Sequence, residues 1–346
     1  GSGPDIFRFH NTWVPMFRKE LDPLPTTVMT PSEFTQTFYP VALSDLRVGS
    51  DIFGLPLEYD GLVMYVNEQI FETSVKNPPT TWEELRKTAQ ELTIKDEAGQ
   101  IKQAGVALGR TENVDHWQEI LALMMIQNGV NLASPQGEVA EDALRFFTLF
   151  SLSDKVWDAS LPPSTLAFAT EKLAMYIGPS WRAFEIKDRN PGLRFRTYPV
   201  PQLPKANQDQ ADITYATYWV EGVWTRSKNK EAAWNFLKYL VEKETLEKFY
   251  QNASKLRIFG EPYSRVDMAE LLINHPILGS IIEQAPYARS WYLASRTFDG
   301  PTGINSQTSS YFEDAVNGVY DRQRIDKVLE TAATGVTQVL TQYQLK

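Results

Sequence analysis

Phe53–Phe71 (FGLPLEYDGLVMYVNEQIF) and the segment shortly after it, Pro78–Leu92 (PPTTWEELRKTAQEL), decide the fold class. Within the first, Leu62–Asn67 (LVMYVN) is a short, almost wholly apolar run bounded by Asp60-Gly61 and polar residues, which reads as a buried strand. In the second, Thr81-Trp82-Glu83-Glu84 fits a capping box: Thr81 is the N-cap and Glu84 reaches back to it. Trp82, Leu85, Ala89 and Leu92 then fall on one apolar face, so a helix is predicted from about Trp82 to Leu92. A strand followed by a covering helix is the repeating unit of an α/β protein. The same alternation continues outward. Asp5–Phe9, Ala104–Leu108 and Leu173–Ile177 read as further strands, and His116–Gln127, Lys230–Gln251, Tyr311–Tyr320 and Ile325–Tyr343 as helices, the first of these stopped by Gly129.

At 346 residues the chain has the length of about two domains. No repeat and no Pro/Gly/Ser linker divides it, so two domains would require the chain to pass between them several times. Its 34 Lys+Arg against 43 Asp+Glu give a formal charge of −9 without basic clusters, which argues against nucleic acid and anionic membrane surfaces as partners. The longest apolar run, Ile120–Ile126, is seven residues, whereas a membrane helix needs about 18 or more. Zero cysteines exclude disulfides, thiolate catalysis and Cys-ligated zinc together. The opening GSGPDIFRF has no charged n-region or apolar h-region, so any secretion signal lies outside this chain.

Motifs for catalysis and for cofactors are missing. His10, His116 and His275 are isolated in sequence and none sits in HExxH or beside a nucleophile elbow, so a structural or ligand-contact role is preferred for each. GxGxxG and GxxxxGK[ST] do not occur, and neither a cofactor nor a metal is expected. One carboxylate pair, Glu58 and Asp60, precedes the strand at Leu62. Alternate positions on extended chain lie about 6.6 Å apart on one face, and paired glycosidase carboxyls sit about 5 Å or more apart, so the geometry permits catalysis while nothing else in the chain favours it.

The nine tryptophans are more informative by placement than by number. Trp82 and Trp234 fall on helical apolar faces and read as core; Trp117 is ambiguous, and Trp157 has no assigned place. Trp13, Trp181, Trp219 and Trp291 instead follow strands or lie in turn-rich segments beside polar groups: His10-Asn11-Thr12-Trp13, Pro179-Ser180-Trp181-Arg182, Tyr218-Trp219-Val220-Glu221 and Arg289-Ser290-Trp291-Tyr292. A flat apolar ring beside hydrogen-bonding groups suits the face and rim of a sugar, although ordinary half-buried aromatics give the same local pattern.

Several stretches, in order, resemble the extracellular solute-binding proteins of ABC importers, in particular the carbohydrate-binding group related to maltose-binding protein. They are Gly3–Trp13 (GPDIFRFHNTW), Phe53–Phe71, Pro78–Leu92, Leu173–Trp181 (LAMYIGPSW), Glu221–Leu240 (EGVWTRSKNKEAAWNFLKYL) and Ile325–Leu340 (IDKVLETAATGVTQVL). The resemblance implies an α/β, two-lobed periplasmic-binding-protein-like fold of type II with an interlobe cleft and hinge closure. Family members carry strand and helix units ahead of the PD strand, so the resemblance is to an N-terminally truncated chain. A further segment would complete the first lobe and cover the edge of Asp5–Phe9, and the complete protein would be a monomer.

By this analogy crossings fall near Gly109, Glu221 and His275, giving a first lobe of 1–108 plus 222–275 and a second of 109–221 plus 276–346. His10, Asn11, Trp13, Glu58, Tyr59 and Asp60 are expected to line the cleft from the first lobe. Trp117, Trp181, Arg182, Trp219 and Glu221 are expected from the second, together with Trp291 and Arg296. The function implied is capture of a sugar or short oligosaccharide and its delivery to an ABC permease, outside the cytoplasm, in the periplasm or as a surface lipoprotein, without enzymatic activity. A peptide or polyol phosphate ligand is the alternative, and glycoside hydrolysis by Glu58 or Asp60 a more distant one.

Overall fold

The computed structural model describes residues 3–205, 207 and 210–345. Thr81 Oγ1 accepts a hydrogen bond from the Glu84 backbone N–H and the Glu84 carboxylate accepts from Thr81 N–H, and the helix Trp82–Leu92 starts there. Its buried face is Trp82, Leu85, Thr88, Ala89 and Leu92. This face lies close against the strand Ile101–Val106, where a Cβ on Gly105 would stand 2.1 Å from the Ala89 carbonyl oxygen. Only glycine fits that approach. All six residues of Leu62–Asn67 are buried, because the strand is flanked on both edges. It pairs antiparallel with Leu173–Pro179 (Leu62 opposite Pro179) and with Phe195–Tyr198 (Met64 opposite Tyr198). Ile101–Val106 joins in parallel on the far side of Leu173–Pro179, and Ile94–Lys95 closes the five-stranded sheet.

A second construction uses the chain's beginning and its later half. Ile6–His10 pairs antiparallel with Trp219–Val223, placing His10 opposite Trp219 and Arg8 opposite Glu221. Leu55 bridges to Glu221 on the other edge of that strand. Gly54, at φ +89, makes the turn possible; a Cβ there would meet Val220 Cγ1 at 2.6 Å. Phe9, Val220 and Val223 are buried together with Trp234, whose Nε1 donates to Asp22 Oδ2 at 3.0 Å.

The one long helix expected over Lys230–Gln251 is two, Lys230–Leu240 and Lys243–Ala253, with Glu242 extended between them. Leu237 and Leu246, both fully buried, are nine residues apart, and at 100° per residue a continuous helix would put them on opposite sides. The break lets both reach the interior. The helix predicted from Tyr311 begins at Ile304, because Asp299 carboxylate oxygens accept from the Asn305 and Ser306 N–H groups and supply the cap.

The chain forms two compact units, Gly1–Gly61 with Ala216–Ser290, and Leu62–Tyr215 with Trp291–Lys346. These boundaries differ from the expected 108/109, 221/222 and 275/276. The reason is strand pairing: Leu62–Asn67 lies between Leu173–Pro179 and Phe195–Tyr198, and Ile101–Val106 lies beside them, so residues 62–108 belong to the second unit. Trp219 and Glu221, expected in the second lobe, belong to the first unit because their strand pairs with Ile6–His10.

Substituting Gly105→Ala forces the strand away from helix Trp82–Leu92 and costs about 1–3 kcal/mol, read as a lower urea midpoint at unchanged slope. An added Ala89→Gly does not restore stability, since the clash is with backbone atoms.

Candidate functional site

Two groups of chemically apt side chains are found, one in each unit. In the first unit they follow from the pairing of Ile6–His10 with Trp219–Val223. Alternate residues of a strand share a face, so Arg8 and His10 lie on one side of the pair with Glu221 and Trp219. At the strand end the rings cluster. Trp219 meets Trp13 edge to face at 5.4 Å and His10 at 5.3 Å. His10 Nδ1 lies 2.8 Å from Thr12 Oγ1 and Nε2 lies 3.0 Å from Thr217 Oγ1, so both ring nitrogens are engaged. Trp13 and Trp219 are half-buried, and Trp13 Nε1 is buried without a hydrogen-bond partner.

Two positions back along the strand, Arg8 Nε donates to Glu221 Oε1 at 2.6 Å and its Nη1 to Glu58 Oε1 at 3.4 Å. Glu58 is pushed up to about 7 by burial, only partly opposed by Arg8, with Glu261, Asp60 and Glu221 adding like-charge repulsion. Asp60 accepts from Gly61 N–H at 2.7 Å, and its backbone oxygen accepts from Thr217 N–H at 2.9 Å. Asn11 is almost fully buried. Its Nδ2 donates to Asp45, which also accepts from Tyr218 OH at 2.7 Å and from Ser290 Oγ. Burial raises Asp45 to about 6 against those three hydrogen bonds.

In the second unit the group is built where strand Leu173–Pro179 runs into helix Arg182–Arg189. Trp181 is 38% exposed, and the Arg182 guanidinium carbon stands over its ring, 4.3 Å from the centroid. Arg182 itself is buried. Its Nε donates to His116 Nε2 at 2.8 Å and its Nη1 to Glu185 Oε2 at 2.5 Å. Asp115 Oδ1 stands 3.8 Å from Arg182 Nη2 and 3.7 Å from Arg296 Nη2, so one carboxylate lies between both arginines. Arg296 is exposed and holds φ +58, a left-handed backbone for a residue with a side chain.

Of the residues expected to contact ligand, His10, Asn11, Trp13, Glu58, Tyr59, Asp60, Trp219 and Glu221 fall in the first unit, and Trp117, Trp181, Arg182, Trp291 and Arg296 in the second. His10, Trp13 and Trp219 come together, as do Glu58 and Glu221 through Arg8. Tyr59 is buried against Tyr39 and Tyr218, within the first unit's interior. Trp117 is 5% exposed and Trp157 fully buried with Nε1 donating to Asn113 Oδ1 at 2.8 Å; both rings are interior. Trp291 packs on Tyr292 and Phe312.

Arg8, Asp45 and Asp115 stand in these groups without having been among the residues expected to contact ligand. Arg8 was within reach, since it alternates with His10 along a strand already identified. The others converge only in three dimensions.

Over residues 1–247 the chain matches the family described as bacterial extracellular solute-binding protein, and it belongs to that family. A chain of Brucella abortus (strain 2308), named only as a binding protein, is 25% identical over 271 residues, covering 75% of this chain and 64% of that one. The multiple sugar-binding protein of Streptococcus mutans serotype c is 24% identical over 221 residues, 60% of this chain and 51% of its own length. This chain thus spans less than two thirds of both relatives. Among solved structures, a solute-binding protein of an ABC transporter from Thermotoga lettingae bound with alpha-D-tagatose superposes with TM-score 0.75 at 22% identity, over 98% of this chain and 86% of that one. A cyclo/maltodextrin-binding protein complexed with maltotetraose gives 0.73 at 14%, over 98% and 83%. The fold is accordingly α/β and that of the two-lobed solute-binding proteins.

Glu58 generates a sign-definite prediction. Its folded pKa is raised, so the folded state holds a proton that the unfolded state releases above about 4.5, and stability is lost as pH rises through the window up to about 7. Glu58→Gln removes that dependence. The variant is therefore the more stable protein at pH 8, by on the order of 1–3 kcal/mol, with the gap closing as pH falls toward 4.5. Thermal unfolding across that range measures it.

Proposed function

We propose that this chain is the ligand-capturing component of a carbohydrate importer, and that it holds a sugar or short oligosaccharide against partly open indole rings flanked by hydrogen-bonding side chains. The carrying observation is that partly open indole rings stand beside hydrogen-bonding groups: Trp13 and Trp219 against His10 in the first unit, with the Arg8–Glu221 pair two residues along the strands, and Trp181 against Arg182 in the second. Rings supply the apolar platform for a sugar face, while Glu58, Glu221, Asp60, Arg8 and Arg296 supply partners for hydroxyl groups. The magnitudes suffice. Ring contacts at about 0.5–1.5 kcal/mol each and several charge-assisted hydrogen bonds at about 1.5–3 kcal/mol each reach the roughly 8 kcal/mol of a micromolar complex after ordering losses.

A polyol phosphate is the weaker reading. Asp115 already stands between Arg182 and Arg296, and an incoming phosphate would have to displace that carboxylate. In our reading the ligand is released unchanged to a membrane permease, the chain works outside the cytoplasm, in the periplasm or tethered to the cell surface, and no catalysis occurs. A chromogenic glycoside panel stays uncleaved; turnover abolished by Glu58→Gln would instead establish a hydrolase.

Calorimetry against D-tagatose, maltotriose, maltotetraose and a set of common monosaccharides tests the assignment. Micromolar binding of at least one sugar is expected, with Trp13→Ala, Trp181→Ala and Trp219→Ala each weakening it several-fold to about tenfold. Silence across the panel from a folded sample would remove the sugar reading.

A further inference from the structure

The second unit carries a buried chain of polar side chains that no sugar contact explains. Arg182, 3% exposed, and Glu119, 1% exposed, are opposite charges held inside the unit, and two further residues lie between them. Direction along the chain is fixed by donor chemistry. A guanidinium can only donate, so Arg182 Nε–H gives its hydrogen bond to His116 Nε2 at 2.8 Å, and the proton of the neutral imidazole is on Nδ1. That Nδ1 faces Ser295 Oγ at 3.0 Å. Ser295 Oγ in turn donates to Glu119 Oε1 at 2.8 Å, and Ser295 N–H donates to the same oxygen at 2.7 Å. Every donor in the relay points toward the carboxylate. Burial and the Arg182 charge both hold the imidazole toward its neutral form, which is the form the relay requires.

Three separated segments are tied by this relay: the start of helix Trp117–Gln127, the start of helix Arg182–Arg189 and the loop at Ser295. Its outer end is the guanidinium on which the Trp181 ring lies at 4.3 Å, and the His116 ring touches the same indole edge to face at 5.7 Å. An arginine on a flexible stem makes a poor base for a ring. One whose Nε and Nη1 are both hydrogen-bonded within the unit makes a rigid one.

We propose that Glu119, Ser295 and His116 are positioning residues for Trp181: acting through Arg182, they fix the plane of that indole and so set the geometry of the second unit's ligand platform. The ligand part of this statement rests on the sugar-binding reading above; the positioning part does not.

The experiment separates the two. The chain is labelled with 5-fluorotryptophan, giving nine ¹⁹F resonances for its nine tryptophans, and Trp181 is identified by the line lost in Trp181→Phe. His116→Asn removes the acceptor facing Arg182, whereas His116→Gln places an amide oxygen close to the position of Nε2. Ser295→Ala cuts the relay far from Trp181 in sequence. Without ligand, His116→Asn and Ser295→Ala are expected to shift or broaden the Trp181 line while His116→Gln restores it. The lines other than those of Trp181 and of Trp117, which follows His116 in the chain, stay in place and report an intact fold. An unmoved Trp181 line in both His116→Asn and Ser295→Ala overturns the proposal; if the asparagine variant does not fold, Ser295→Ala alone decides. Calorimetry with maltotetraose then tests the linked reading, with affinity expected to fall several-fold in Ser295→Ala. A moved Trp181 line with unchanged maltotetraose affinity upholds the positioning role and removes the sugar platform.

Discussion

The antiparallel pairing of Ile6–His10 with Trp219–Val223 is the constraint on which the first unit's chemistry depends. Arg8 and Glu221 are 213 positions apart in the chain, yet the register sets them opposite one another and, two residues on, sets His10 opposite Trp219. A slip of one residue would turn every one of these side chains to the other face and expose Phe7 and Phe9 in their place. The burial of Phe9 and Val220 on one face therefore specifies the polar and aromatic set on the other. Core packing and the polar, aromatic cluster are two sides of the same ladder.

The second unit reaches a comparable end by different means. There the five-stranded sheet is a frame whose strands Leu62–Asn67 and Leu173–Pro179 are fully buried, and the exposed indole of Trp181 stands at the point where the second of these gives way to a helix. Its immediate support is ionic. A buried charge is costly unless it is hydrogen-bonded, and the Arg182–His116–Ser295–Glu119 sequence of donors links the two charges without bringing them into contact, while Arg182 Nη2 and Glu119 Oε2 have no hydrogen-bond partner. In the first unit Glu58 and Asp45 show the converse: carboxylates whose burial outweighs their partners and whose protons are held into the neutral range.

How much of this could be read in advance varies by residue. The capping box at Thr81–Glu84 and the apolar stripe behind it are local statements, and helix Trp82–Leu92 forms with those bounds. Leu62–Asn67 was legible for the same reason. The break at Glu242 was not, because it arises from the phase difference between Leu237 and Leu246, which matters only once both have an interior to face. Domain boundaries placed by analogy missed for a related reason: which sheet claims Leu62–Asn67 depends on strands more than a hundred residues later.

By itself, then, the sequence determined the α/β alternation, the family likeness, the capped helices and the tryptophans that stand beside polar groups, since each is written in spacing over a few turns of chain. Tertiary structure decided the rest. It assigned Trp219 and Glu221 to the first unit, sank Trp117 and Trp157 into the interior, and assembled Arg8 with its carboxylates and His116 with Arg182 and Glu119. Hydrogen bonds and ring contacts between residues far apart in the chain have no local signature: they exist only after burial of the apolar faces has fixed which strands and helices are neighbours.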